Sequence, residues 1–189
     1  MKQIRAYLEQ NNPILETDWQ LFLSKLKKVE YKKKAVILAL GAIENHLSFI
    51  EKGIVRLVIP KEDIEKDITF GFSFENEFIS AYDSFLTQTP STYQLDTLTN
   101  TTVWSITYAD LQEVYKQTEI GNSIGRFFAE RLFLIKSKRE QSLLNETAEQ
   151  RYLNLFIERP NLLKEIPLKY IASYIGVTPQ ALSRIRARI

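Results

Sequence analysis

The hydrophobic positions change period twice along the 189 residues. Over the first thirty, Ile4 and Leu8, then Trp19, Leu21, Phe22, Leu26 and Val29, recur at helical spacing. Pro13 breaks that run, because it has no N–H to donate and a fixed φ. Thr17 and Asp18 are the expected caps before Trp19. From Ala35 to about Thr107 the texture becomes short runs of β-branched and aromatic residues at 35–40, 46–50, 54–59, 68–74 and 102–106. Gly41, Lys52-Gly53, Pro60-Lys61-Glu62-Asp63 and Asn76 punctuate them. Many short strands at this spacing predict an antiparallel β-barrel or jelly roll.

After Tyr108 the helical period returns. Ile120, Ile124, Phe127, Phe128, Leu132, Ile135 and Leu143 fall on one broad side of a helix from about Gly121 to Leu144. Such a helix is longer and more apolar than a monomer's surface requires, so part of its stripe is expected to cover the barrel and part to meet a second copy. Ile124, Phe128, Leu132 and Ile135 are the expected dimer seam, unless Phe127 and Leu134 take that place. Gly121 and Gly125 either let two backbones approach or fray the helix start. Asn145-Glu146-Thr147 reads as a hinge into a further helix over 148–158, which Arg159-Pro160-Asn161 ends. The whole is an α+β chain in three parts. A barrel with N-terminal helices covers 1–118, a dimerisation helix with its hinge 119–145, and a helical unit 146–189.

That last unit carries the most specific motif. Ile171, Ile175, Val177, Leu182 and Ile185 are spaced for two short helices sharing one apolar seam, with Ala172 small at the crossing. Gly176 supplies the positive φ of a tight turn, Thr178 caps the second helix, and Pro179 fits its first position. This is a helix-turn-helix pattern. The exposed positions of its second helix are Gln180, Ser183, Arg184 and, further on, Arg186 and Arg188. Their chemistry suits base edges and phosphates of double-stranded DNA.

Composition narrows the remaining choices. Hydrophobic residues at 44% and charged residues at 25% describe an ordinary globular chain. No apolar run approaches a membrane span, and Met1-Lys2-Gln3-Ile4-Arg5 does not lead into a signal core, so a cytoplasmic protein without membrane contact is expected. Cysteine is absent and His46 is the sole histidine, which argues against an iron–sulfur cluster, haem or zinc site. His46 reads as a plain strand residue. No Ser-His-Asp or Cys-His set beyond it and no phosphate-cradling glycine loop suggest an enzyme. The net charge is only +2, yet Lys164 to Ile189 carries +4 and the remainder −2, so the basic bias lies on the helix-turn-helix. A second cluster, Lys25, Lys27, Lys28, Lys32, Lys33 and Lys34, reads as a solvated face.

Barrel, long helix, hinge and helix-turn-helix in that order resemble the cyclic-AMP receptor / fumarate–nitrate regulator (CRP/FNR) superfamily of bacterial transcription factors. Phe49-Ile50-Glu51-Lys52-Gly53-Ile54-Val55-Arg56 is similar to the family's strand-turn-strand, and Glu75-Asn76-Glu77-Phe78-Ile79 to its Gly-Asp-Phe-Ile segment. Residues 171–186 resemble its DNA-reading unit, and Pro167-Leu168-Lys169-Tyr170-Ile171-Ala172 looks like the short subgroup of Bacteroidetes-type bacteria. The resemblance implies a homodimer on two-fold DNA, contact with RNA polymerase, and a small-molecule effector or none. A cyclic-nucleotide-type sensor acting on a protein partner without DNA is the reading of a different class.

The departures are informative. Where cyclic-AMP binders carry Gly-Glu this chain has Ser80-Ala81, and where they carry Arg followed by Ser or Thr it has Ser91-Thr92. Both charged anchors are missing, so cyclic AMP is not expected as ligand. The family's base-reaching hydroxyl pair falls on Lys136-Ser137, and Tyr82 and Tyr93 are candidates to fill the pocket themselves. Asn76 replaces a glycine but tolerates positive φ. On the recognition helix Pro179-Gln180 and Arg184 replace the commonest triplet, favouring adenine at Gln180 and guanine at Arg184. The sequence reaches Ile189 without the family's β-hairpin wing, which fits either a wingless subgroup or a shortened sequence.

Overall fold

A computed structural model describes residues 1–10 and 13–189. They form two compact units, Met1–Pro60 with Gly71–Phe128, and Lys61–Phe70 with Ala129–Ile189. Among the described residues no helix is long and apolar enough to cross a membrane.

Helices α1 (Lys2–Leu8) and α2 (Glu16–Lys25) precede the strands β1 (Lys27–Tyr31), β2 (Val36–Leu38), β3 (His46–Lys52), β4 (Val55–Ile59), β5 (Ile68–Ser73) and β6 (Phe78–Ile79). Helix α3 (Tyr82–Thr87) then leads to β7 (Gln94–Thr97), β8 (Thr101–Thr107) and α4 (Tyr108–Gln117). Two four-stranded sheets run in the orders β1-β8-β3-β6 and β2-β7-β4-β5. The pairs β1–β8, β3–β8, β3–β6, β2–β7 and β4–β7 are antiparallel, as the alternation of short strands predicts. Phe49 and Phe78 form an aromatic cluster with Tyr7 of α1 and with Phe128, at ring centroid distances of 4.5–6.2 Å. These edge-on and tilted contacts close the core of the first unit against α1 and against the helix that carries Phe128.

Two expectations for the N-terminal part need correction. The helical run does not reach Leu26 and Val29, because Leu26 turns to ψ 133° and 27–31 become β1 on the edge of β8. Alternation in Lys27-Lys28-Val29-Glu30-Tyr31 outweighs the helical register of Leu26 and Val29, since Val29 and Tyr31 are half-buried and their neighbours exposed. Thr17 and Asp18 do not cap α2, which starts at Glu16. The Asp18 carboxylate instead accepts the N–H groups of Glu119 and Ile120, at 3.1 and 3.4 Å, just before the long helix. The lysine cluster is a solvated face as read: Lys27, Lys28, Lys32, Lys33 and Lys34 are exposed, Lys25 pairs with Glu113 at 2.6 Å and Lys28 with Glu51 at 3.2 Å.

The long helix α5 (Gly121–Asn145) passes from the first unit into the second. There it is followed by α6 (Ala148–Glu158), α7 (Pro160–Glu165), α8 (Leu168–Tyr174) and α9 (Pro179–Arg186). Tyr152, Leu155, Leu162, Ile166, Ile171, Ile175 and Leu182 are the buried core of this unit. The α5–α6 junction, where the sequence predicts a hinge, is an elbow tied by hydrogen bonds. Thr147 and Gln150 form a reciprocal capping box, at 2.8 and 3.2 Å. The Glu146 carboxylate accepts both Ser142 Oγ of α5, at 2.5 Å, and Asn154 Nδ2 of α6, at 3.1 Å.

Candidate nucleic-acid interface and effector site

The sequence folds residues 167–189 into the expected helix pair for the expected local reasons. Gly176 stands at φ 79° in the turn, and Ala172 is fully buried at the crossing. Thr178 Oγ1 accepts the Ala181 N–H at 3.2 Å, and Pro179 opens α9 where no N–H is needed. With Leu182 buried, Gln180, Ser183 and Arg184 stand exposed on one face, three and four residues apart. Arg184 Nε lies 3.5 Å from the Gln180 carbonyl, along that face. Arg186 is exposed to one side, and Arg188 lies beyond the helix end. The face carries hydrogen-bonding and cationic groups and no carboxylate, a donor-rich surface suited to an anionic polymer.

Along α5 the expected seam divides. Ile124 and Phe128, at 3% and 7% exposure, are buried in the first unit's own core and are unavailable to a second copy. Leu132 is half-buried, while Ile135 is exposed. The expectation for Ile124 and Phe128 is corrected for that reason: the aromatic core of the protomer consumes the start of the stripe. Gly121 and Gly125 serve the same packing. A Cβ on Gly121 would stand 2.5 Å from Tyr115 Cα, and one on Gly125 would stand 3.1 Å from the Tyr115 ring, so the close approach is to α4. Another face of α5 remains open. Phe127 is half-buried against Tyr7 and Phe128 and does not belong to it. Leu134 and Gln141 stand seven apart, as do Ser137 and Leu144, and Leu134 and Leu144 are 67% and 77% exposed. This is the 3-4 spacing of a two-helix seam.

The effector candidates are held by their own neighbours. Ser80 Oγ donates to the His46 carbonyl at 2.9 Å, and Ala81 N–H donates to the Glu44 carboxylate at 3.3 Å. Glu44, beside these candidates, is a residue that the sequence does not single out. It is buried, accepts the His46 N–H as well, at 2.9 Å, and burial raises its pKa above the ordinary carboxylate range. Ser91 is buried and its hydroxyl donates to the Tyr93 carbonyl at 2.8 Å, while Thr92 is exposed. Tyr93 Oη donates to Asp83 at 2.5 Å, and burial followed by that carboxylate raises the phenol pKa. Tyr82 stacks on Phe85 with centroids 6.0 Å apart. Lys136 and Ser137 belong to the second unit. There Lys136 Nζ lies 4.7 Å from the Phe70 ring centroid and Ser137 Oγ accepts from Gln141.

Known proteins share this fold. Residues 28–118 match the cyclic nucleotide-binding domain family. No curated protein is similar to the chain in sequence. A putative CRP/FNR-family transcriptional regulator from Eubacterium rectale superposes with TM-score 0.74 at 15% identity, over 97% of this chain and 87% of the other. FixK2 from Bradyrhizobium japonicum gives 0.71 at 14% identity, over 86% and 83%. The c-di-GMP-responsive regulator CLP of Xanthomonas campestris gives 0.68 at 16% identity, over 91% and 90%. Residues 28–118 of the chain thus match the cyclic nucleotide-binding domain family, and as a whole the chain shares the fold of these solved CRP/FNR-type regulators.

Proposed function

We propose that the chain is a homodimeric, DNA-binding transcription regulator and not an enzyme. The observation that carries the reading is the α8–α9 pair, whose exposed face presents Gln180, Ser183 and Arg184 beside Arg186 and Arg188. Thr178 caps the reading helix, Gln180 and Arg184 contact base edges, and the flanking arginines contact phosphate. The open α5 face of Leu134, Ser137, Gln141 and Leu144 takes a second copy, with Ile135 at its margin. Two recognition helices then reach half-sites about 34 Å apart. A charge placed at Leu134 would be buried in that seam without solvent or partner. Leu134→Asp therefore yields monomers at micromolar concentration by light scattering, with the fold retained because Leu134 is exposed within the protomer. The same variant loses specific duplex binding in a mobility-shift assay. A monomeric wild type, or a Leu134→Asp dimer that binds as well as wild type, would count against the reading.

The sensor does not use cyclic AMP on this account. Residues 78–107 contain no lysine or arginine, Ser91 is bonded within its own loop, and the Ala81 N–H already serves a carboxylate. A charge-assisted hydrogen bond is worth roughly 1.5–3 kcal/mol, and two anchors are absent. The site is therefore weaker than a competent one by about two to four powers of ten. Isothermal titration with cyclic AMP and cyclic GMP is expected to show no binding at low micromolar concentration. Saturable heat in that range would contradict the assignment. The effector is another small molecule, or the pocket is closed by Tyr82 and Tyr93.

A further inference from the structure

Two arginines beside the helix-turn-helix are spent on its backbone. Residues 171–175 end α8, and the turn's own N–H groups serve two of the terminal carbonyls. Val177 N–H donates to the Ala172 carbonyl at 2.9 Å and Gly176 N–H to that of Ser173 at 3.1 Å. The carbonyls of Tyr174 and Ile175 come next, and helix ends leave such groups without intrahelical partners. Arg139 of α5 donates from Nη2 to the Tyr174 carbonyl at 2.7 Å and stacks its guanidinium 4.1 Å from the Tyr174 ring centroid. Arg151 of α6 donates from Nε to the Ile175 carbonyl at 2.8 Å, and from Nη1 to the Glu146 carbonyl in the elbow. Leu143 approaches Gly176 from the same side: a Cβ built there would lie 3.7 Å from Leu143 Cδ2 and 3.8 Å from Arg151 Nη2.

We infer that Arg139 and Arg151 are positioning residues for DNA reading, which clamp the recognition turn to α5 and α6 and do not contact phosphate. The inference rests on the DNA-binding reading and deepens it. The planar fork is what the arrangement requires. Arg151 reaches two carbonyls on different elements with two nitrogens, and Arg139 bonds and stacks with one plane, which a single ammonium does not reproduce. With Glu146 tying Ser142 to Asn154, the clamp joins the second half of α5, α6 and the α8–α9 turn into one lever. Any reorientation of α5 then carries the recognition helix with it, and the motion is absorbed outside residues 139–176.

The test separates position from charge. Arg139→Lys and Arg151→Lys are compared with wild type in the full-length chain by duplex binding across salt, alongside alanine variants. A phosphate contact would survive replacement by lysine, and its removal by alanine would flatten the log–log salt slope by about 0.9. The clamp predicts the opposite pattern: lysine variants lose about tenfold or more in affinity, and alanine variants keep the wild-type slope. Hydrogen exchange without DNA supplies a second readout. The amides of Gly176 and Val177 exchange faster in both lysine variants while the body of α6 stays protected. Wild-type affinity in the lysine variants, a slope reduced by about 0.9 in an alanine variant, or unchanged exchange at the turn overturns the inference. Failure of the wild type to bind any duplex is seen before variants are compared and overturns the DNA-binding reading, leaving hydrogen exchange to decide the clamp.

Discussion

Replacing Arg184, Arg186 and Arg188 together by alanine is expected to lower specific duplex affinity by roughly 30- to 700-fold, or about 2–4 kcal/mol. The largest share comes from Arg184, because a bidentate arginine–guanine contact is worth about 1–3 kcal/mol of discrimination. Its removal also relaxes the operator at one base position. Arg186 and Arg188 act differently. Arg186 stands to one side of the reading face and Arg188 beyond the helix end, where backbone phosphates are met. Deleting one arginine–phosphate pairing reduces the slope of log affinity against log salt by about 0.9, equally for all sequences. The side chains are exposed, so the triple variant folds as wild type does. A mobility-shift titration at several salt concentrations reads both effects. Unchanged affinity for a selected duplex would remove α9 as the reading element.

Arg56→Ala is expected to cost the first unit about 3–5 kcal/mol, the usual result of breaking a buried ion pair from one side. Arg56 on β4 and Asp96 on β7 are cross-strand partners in register. The guanidinium holds the carboxylate with two bonds, Nε at 3.0 Å and Nη2 at 2.6 Å, and the side chains are only 7% and 13% exposed. Removing the cation leaves the Asp96 carboxylate buried with its charge uncompensated. For a chain of this size the loss corresponds to a fall of roughly 6–20 °C in melting temperature. Trp19 and Trp104, the two tryptophans, both lie in the first unit and report its unfolding by fluorescence. The double variant with Asp96→Asn should cost less than the two single changes summed, since the second removes the stranded charge. Destabilisation by Arg56→Ala of less than about 1 kcal/mol would place the pair with solvent-screened ion pairs.

Much of this architecture is legible in the sequence where local chemistry and tertiary demand agree. Gly176, Thr178 and Pro179 adopt the turn, cap and first-position roles that their backbone chemistry favours. Asn76 takes φ 66° in place of a glycine, as its short polar side chain allows. Helix α6 falls where the flanking residues locate it, between Thr147 and Arg159. The misreadings have a common cause in long-range packing. The helical spacing of Leu26 and Val29 yields to an edge position beside β8, which only the fold supplies. Ile124 and Phe128 lie on a helical stripe with Ile135, yet the aromatic cluster of Tyr7, Phe49 and Phe78 decides which of them are covered within the protomer. The sequence around Glu44 gives no sign that its carboxylate will serve the Ala81 N–H, 37 residues on. Arg139 and Arg151 look like surface cations on charged helices until the carbonyls of Tyr174 and Ile175 are seen against them.

The central claim is that two copies of this chain read two-fold DNA through α9. Duplexes selected from a random pool by the wild type and probed by hydroxyl-radical footprinting test it most directly. The account predicts two protected backbone segments related by a dyad, their half-sites about 34 Å or one helical turn apart, with protection lost in Leu134→Asp. A single protected half-site, or a pool from which no sequence is enriched, would contradict it.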